Sequence, residues 1–146
     1  MSPKFATYAD LLALPEGVRA ELLDGSIVTE PARLPEHVNV QGRLRVDVGA
    51  PYQDDHGRGG PGGWWILLEV DVEVEAGEVV RPDVSGWRRE RLPHPAGARP
   101  IRVVPDWVCE VLSPTSGGLE SRRSGSDSDD RRSSFSSLGL SSPPHR

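Results

Sequence analysis

The apolar residues of this 146-residue chain are concentrated in its first 116 positions. This distribution determines which part of the chain can form a folded domain. Residues 117–146 are dominated by Ser, Arg and Asp and show no helical or strand periodicity. Because such a segment cannot bury enough apolar surface to offset its chain entropy, we expect it to be disordered. The sequence therefore predicts one folded domain over residues 1–116 and a disordered Ser/Arg/Asp-rich tail over residues 117–146.

The charge and cysteine content narrow the class of protein. The formal net charge is -5 and the pI is about 5.3, which argues against strong sequence-independent adhesion to nucleic acid but allows a local basic groove. The single cysteine, Cys109, cannot form an internal disulfide, and its apolar neighbours favour a buried structural thiol over a nucleophile. The N-terminus carries no secretion signal, and no apolar stretch approaches the length of a membrane span. We therefore expect a cytoplasmic protein without a membrane partner.

The first half of the chain predicts a short helix, a hairpin and a second helix. Thr7, with Asp10 three residues later, is typical of a helix N-cap. The Asp24-Gly25 pair between apolar residues is typical of a type I′ hairpin turn. The predicted elements are a helix over Tyr8–Leu14, strands over 19–23 and 26–30, a helix over Pro35–Val48 and a loop over 49–63.

The second half of the chain predicts extended structure. Apolar and acidic residues alternate up to Val74, which is the pattern of a strand with one buried face. The predicted elements are an extended segment over Trp64–Val74, a partner strand over Val79–Trp87, a loop over 88–100, a short strand or lead-in over Ile101–Val104 and an apolar strand over Trp107–Leu112. Together with the helices, these strands predict the α/β (α+β) class.

Two acids lie in unusually apolar surroundings. Glu110 interrupts the run WVCEVL, and Asp83 follows a proline within the segment VVRPDV. A carboxylate in such a strand is costly to bury unless a cation or several donors meet it. If the two strands adjoin, the carboxylates converge and form the kind of oxygen site that suits magnesium or manganese. The spacing alone leaves two other readings open: Asp83 could accept backbone hydrogen bonds in a turn, and Glu110 could face solvent or pair with an arginine.

Four segments, taken in order, resemble the Uma-two family of restriction-endonuclease-like proteins. They are residues 7–17 (TYADLLALPEG), 21–28 (ELLDGSIV), 81–87 (RPDVSGW) and 105–115 (PDWVCEVLSPT). The resemblance runs from about residue 5 to residue 116. It implies a restriction-endonuclease-like mixed sheet flanked by helices, of the PD-(D/E)XK superfamily. It also implies a hydrolase that cleaves DNA phosphodiester bonds with Mg (or Mn), and a homodimer is a family expectation.

The resemblance also implies roles for individual residues. Asp83 and Glu110 match the family's metal-binding and catalytic acids. Glu21 matches a further acid of the catalytic site, although an exposed strand charge is the alternative. His37 would contact substrate or metal, or else serve as a surface or capping residue. Apart from the resemblance, several arginines cluster around the second acid-bearing region, and among them Arg81 and Arg88 would bind the DNA backbone, or else belong to a solvated loop.

The chain departs from the family pattern at its C-terminal end. Leu112 stands where the superfamily places a lysine that completes the site, and the only lysine of the chain is Lys4. Nothing after Thr115 resembles the family's closing helix and strand. We therefore expect a domain that is incomplete at its C-terminus, impaired in catalysis and marginally stable. The alternative is an inactive remnant or a non-catalytic module that binds nucleic acid or protein. A shifted reading frame after residue 117 would explain the change, and the other frames of the encoding DNA would test this.

Overall fold

A computed structural model of the protein describes residues 5–54 and 56–112, which include two helices and seven strands. The tail over residues 117–146 lies outside this range, and so do the last four positions of the predicted domain. In chain order the elements are α1 (Tyr8–Leu12), β1 (Ala20–Leu23), β2 (Ser26–Thr29), α2 (Pro35–Tyr52), β3 (Trp64–Leu68), β4 (Val72–Glu75), β5 (Glu78–Val80), β6 (Val84–Arg88) and β7 (Trp107–Cys109). Of the helices described, neither has the length and apolar character needed to cross a membrane.

Local sequence signals at the start of the chain produce the expected elements. The Thr7 hydroxyl accepts a hydrogen bond from the backbone N–H of Asp10, and the Asp10 carboxylate accepts one from the backbone N–H of Thr7. This capping box satisfies donors that the first turn of α1 leaves unpaired. Asp24 and Gly25 both have positive φ, at 48° and 68°, as a type I′ turn requires. The predicted hairpin is therefore confirmed, and the predicted helix is confirmed at its start but ends at Leu12, two residues before the predicted end.

The strands form two antiparallel sheets. One has the order β2-β1-β5-β4, and the other has the order β3-β6-β7. Parallel pairing within the described residues is confined to isolated bridges, such as the one between Val72 and Ile101. Helix α2 packs on β3 and β6 of the smaller sheet. The α+β class is confirmed.

Two long strands predicted from the sequence are each divided in two. The segment Trp64–Val74 separates into β3 and β4, which belong to different sheets. The chain turns at Glu69, whose φ is 50° and whose carboxylate contacts Arg19 at 2.7 Å. The segment Val79–Trp87 separates into β5 and β6 around Pro82, which has no N–H to give to a ladder. Alternation of side chains does not reveal which sheet a strand joins, so the single-strand prediction was wrong for both segments.

Two further boundaries differ from the prediction. Helix α2 continues to Tyr52, beyond the predicted end at Val48, and the Tyr52 ring packs edge-on against Trp64 at 6.2 Å. Strand β7 ends at Cys109 and does not reach Leu112, because the N–H of Val111 donates to the carboxylate of Asp83. The C-terminal ends of α2 and β7 are therefore set by tertiary contacts and differ from the ends predicted from local sequence.

The apolar core consists of two clusters. The first joins α1 to the larger sheet, and its buried members are Leu11, Ala20, Leu22 and Val79. The second surrounds Trp87, which is fully buried and donates its indole N–H to the carbonyl of Val103 at 2.7 Å. The other buried members of that cluster are Val72, Leu92 and Ile101. Trp87 anchors β6 in this core, and Asp83 immediately precedes the same strand.

Candidate active site

Asp83 is fully buried and lies at the centre of a polar network. Its Oδ1 accepts a hydrogen bond of 2.8 Å from Arg33 Nη2 and lies 3.1 Å from His37 Nε2. Its Oδ2 accepts a hydrogen bond of 2.8 Å from the backbone N–H of Val111. These donors offset the cost of burying the carboxylate. His37, in the first turn of α2, is itself buried, so the structure places it inside the protein and against the predicted acid.

Glu110 meets Asp83 across two paired strands. The antiparallel register sets Val84 opposite Cys109, which brings Asp83 and Glu110 opposite each other just beyond the ladder. Desolvation of its carboxyl group, followed by the negative charge of Asp83, raises the pKa of Glu110 to about 8. Unlike Asp83, the Glu110 residue as a whole is exposed at the surface.

Glu21 approaches the same two acids from β1. Its Oε1 accepts a hydrogen bond of 3.0 Å from the backbone N–H of Arg81, and its charge contributes to the raised pKa of Glu110. The three acids that the sequence singled out are thus neighbours. No group of three or more His, Cys, Asp or Glu side chains with metal-binding geometry occurs within residues 5–54 and 56–112.

The two arginines predicted to bind substrate lie elsewhere. The Arg81 guanidinium contacts Asp71 at 2.7 Å, so its side chain turns away while its backbone holds Glu21. Arg88 is at the far end of β6, about 17 Å from Asp83 for five residues of extended chain. Its guanidinium lies over the Trp64 ring, 5.6 Å from the centroid. A contact of either side chain with DNA stays a prediction.

Several residues of the network were not anticipated from the sequence. Gln41 donates to the backbone carbonyl of Asp83 at 2.9 Å and to the Glu69 carboxylate at 3.2 Å. The spacing of His37 and Gln41, one helical turn apart, was a signal that could have identified one polar face of α2. Arg19 and Arg33 flank the first hairpin and carry no comparable spacing signal. Only the fold brings them to Asp83.

The donor set fits a magnesium or manganese ion. Such ions prefer oxygen ligands, and Mg²⁺ in proteins is commonly held by one or two carboxylates with waters completing its shell. A carboxylate has about four acceptor positions, so Asp83 Oδ2 retains capacity beside the N–H of Val111. After desolvation, the charges of Asp83, Glu21 and Glu30 contribute to the raised pKa of Glu110, and a bound cation would offset these charges. Asp83 and Glu110 are the residues that would hold the ion.

The chain was compared with curated protein sequences and with solved structures. No curated protein matches the chain in sequence. A crystal structure from Anabaena variabilis, described as "a putative nuclease belonging to DUF820", matches with a TM-score of 0.58 at 20% identity. The match covers 79% of this chain and 64% of that protein, so the chain spans less than two thirds of its structural neighbour. At this identity the likeness establishes a shared fold.

The family comparison extends over most of the chain. The profile of the Uma2 family, described as "Putative restriction endonuclease", matches residues 5–131. This range includes all four segments quoted above, with the acids Glu21, Asp83 and Glu110, and it continues beyond the described residues. The chain therefore belongs to the Uma2 family.

Proposed function

We propose that the chain is a metal-dependent endonuclease-like domain that hydrolyses the phosphodiester bonds of DNA. The observation that carries this proposal is the pairing of Asp83 with Glu110 at the ends of two adjacent strands. Two carboxyl groups are brought together although their charges repel, and such conflicts concentrate at functional sites. Family membership supports the nuclease class, while the metal, the substrate and the catalytic roles belong to the proposal.

Each residue of the site has a distinct role in this proposal. Asp83 and Glu110 hold the divalent cation. When bound, that cation would activate water and neutralise charge on the phosphate. Arg33 and His37 orient Asp83 through its Oδ1, and the backbone of Arg81 fixes Glu21 beside the pair.

A second candidate is a module that binds nucleic acid without cleaving it. The observation that favours it is the absence of lysine after Lys4, with Leu112 at the position where the superfamily carries that residue. Asp83 is also already engaged by Arg33 and His37. On this reading the acids are a remnant, and catalysis is impaired or lost.

Cleavage of supercoiled plasmid by the full chain, with Mg²⁺ or Mn²⁺ and then with EDTA, tests the proposal. We expect nicking that requires the metal and that disappears in Asp83→Asn and Glu110→Gln. Glu90→Gln is the matched control, because Glu90 is an exposed acid that the site does not use. A wild-type chain that binds the plasmid but never nicks it would establish the second candidate instead.

The oligomeric state and the cellular location of the protein are also part of the proposal. The domain pairs into a homodimer that acts on both DNA strands, and it resides in the cytoplasm. Sedimentation equilibrium of the full chain with duplex DNA tests the first, because a dimer adds the mass of a second chain to the complex. Fractionation of the cells that produce the protein tests the second.

A further inference from the structure

Two arginine side chains from different parts of the chain meet at one oxygen of Asp83. Arg33 lies between β2 and α2, and its Nη2 is 2.8 Å from Asp83 Oδ1. Arg19 precedes β1, and its Nη2 is 3.7 Å from the same oxygen. Their side chains are only 21% and 12% exposed. Both guanidinium groups also contact Glu30, at 3.1 Å from Arg33 and 3.2 Å from Arg19.

Each guanidinium also carries a buried nitrogen without an aligned acceptor. Arg33 Nε has no hydrogen-bond partner among the residues that the structure describes. Arg19 Nη1 lies 2.7 Å from the Glu69 carboxylate, but the pair lacks the alignment of a hydrogen bond. Buried donors of this kind are rare in native proteins, and ion-binding or catalytic positions are among the places where they occur.

We propose that Arg33 and Arg19 bind the phosphodiester anion of the substrate and hold it against Asp83 and Glu110. This inference rests on the proposed function and adds to it the residues that contact the phosphate. The planar guanidinium presents paired N–H groups that match two phosphate oxygens, which an ammonium group does not do. The unaligned donors of the two arginines supply these contacts.

The charge of the site explains why such a contact is needed. Three carboxylates contact the two arginines, namely Glu30, Glu69 and Asp83, and Glu21 and Glu110 lie close to Asp83. A phosphodiester is an anion, and this excess of negative charge repels it. The only lysine of the chain is Lys4, which lies outside the described residues. Within the described residues, Arg33 and Arg19 are the arginines whose guanidinium groups contact Asp83, so they are placed to bind a phosphate beside the acids.

The competing explanation is that the arginines only neutralise Asp83. Replacement by lysine separates the two explanations, because Arg33→Lys keeps the positive charge but loses the paired donors. If neutralisation is the whole role, this variant retains its affinity for phosphate. If the arginines contact phosphate, the affinity falls although the fold persists.

The experiment uses the full chain with Mn²⁺ and two probes. The first is inorganic phosphate, with its affinity measured from the shift of the melting temperature. The second is the chromogenic diester bis(p-nitrophenyl) phosphate, which gives KM and kcat separately. Arg33→Lys and Arg33→Gln are compared with Arg43→Gln, an exposed arginine on α2 that contacts none of these acids. Circular dichroism of each variant verifies that the fold is retained.

We expect Arg33→Gln to weaken phosphate binding and to raise KM by roughly ten-fold, with a smaller effect for Arg33→Lys and none for Arg43→Gln. Unchanged phosphate affinity and KM in a folded Arg33→Lys and Arg33→Gln would overturn the inference and leave the nuclease proposal intact. If phosphate binds and depends on Arg33 but neither the diester nor DNA is cleaved, the nuclease proposal fails and the anion site stands. A wild-type chain that binds no phosphate also overturns the inference.

Discussion

At the scale of single residues, the site keeps carboxylates together against their mutual repulsion. Asp83 is fully buried, and its contacts with Arg33, His37 and the backbone N–H of Val111 offset the desolvation cost of its carboxylate. Desolvation and the negative charge of Asp83 raise the pKa of Glu110. Arrangements that cost stability and serve a ligand are common at functional sites. Glu110 is therefore the residue at which stability and function are expected to oppose each other.

We predict that Glu110→Gln stabilises the metal-free protein at alkaline pH. The pKa of Glu110 in the folded protein lies above its ordinary value of 4.5. Its contribution to stability is therefore complete below pH 4.5 and is lost as the pH rises towards 8. Melting temperatures in EDTA across this range should fall with pH more steeply for the wild type than for Glu110→Gln.

The same variant should lose its response to the metal. A cation that binds only the folded state raises the melting temperature by mass action. We therefore expect Mg²⁺ or Mn²⁺ to stabilise the wild type and not Glu110→Gln, with Glu90→Gln behaving like the wild type. Equal stabilisation of all three proteins by the metal would show that Glu110 does not bind it.

At the scale of elements, a polar side-chain cluster adds to the apolar contacts between α1 and the larger sheet. The Tyr8 hydroxyl donates to Asp71 at 2.7 Å, and Arg81 donates to the other oxygen of Asp71 at 2.7 Å. Burial by itself would raise the pKa of Asp71, but the hydrogen bonds from Arg81 and Tyr8 outweigh it and lower that pKa. Because the Arg81 backbone also holds Glu21, this cluster connects the docking of α1 to the position of a site acid.

We predict that Tyr8→Phe lowers the free energy of unfolding by about 1 kcal/mol, the net value of one such hydrogen bond. Burial, followed by the hydrogen bond to Asp71, raises the pKa of Tyr8 from 10.0 to about 12. The contribution of Tyr8 is therefore complete below pH 10 and is lost as the pH rises through 12. Urea unfolding at neutral and alkaline pH should show this loss in the wild type and not in Tyr8→Phe. Identical alkaline profiles would mean that the hydrogen bond contributes nothing.

At the scale of the whole molecule, the smaller sheet has an edge at β7. Among the described strands, β7 pairs with β6 on one side only, and its residues Trp107, Val108 and Cys109 are half-buried. A strand edge with apolar side chains is a template for pairing with other chains. The expectation of marginal stability, first drawn from the sequence, therefore has a definite location in the fold.

We predict that the purified full chain melts over a broad range and self-associates as its concentration rises. Light scattering measured together with differential scanning calorimetry tests both parts of this expectation. Binding of Mg²⁺ or Mn²⁺ at Asp83 and Glu110 should sharpen the transition, because it stabilises only the folded state. A sharp, concentration-independent melt of a metal-free monomer would show that the β7 edge causes neither marginal stability nor self-association.

The sequence by itself determined the elements whose signals are local. The Thr7 cap, the Asp24-Gly25 turn and the start of α2 at Pro35 each depend on neighbours in the chain, and all three lie where predicted. The sequence also singled out Asp83 and Glu110, because a carboxylate in an apolar strand is conspicuous without any structure.

The tertiary structure alone decided how distant segments meet. It divided both long strands, since the assignment of a strand to a sheet depends on partners far away in the chain. It also brought Arg19 and Arg33 to Asp83, although nothing in their local sequence marks them. Local conformational preferences depend on residues that are adjacent in the chain. A buried charge, in contrast, is compensated by hydrogen-bond donors that can lie far away in the sequence and come close only in the folded protein.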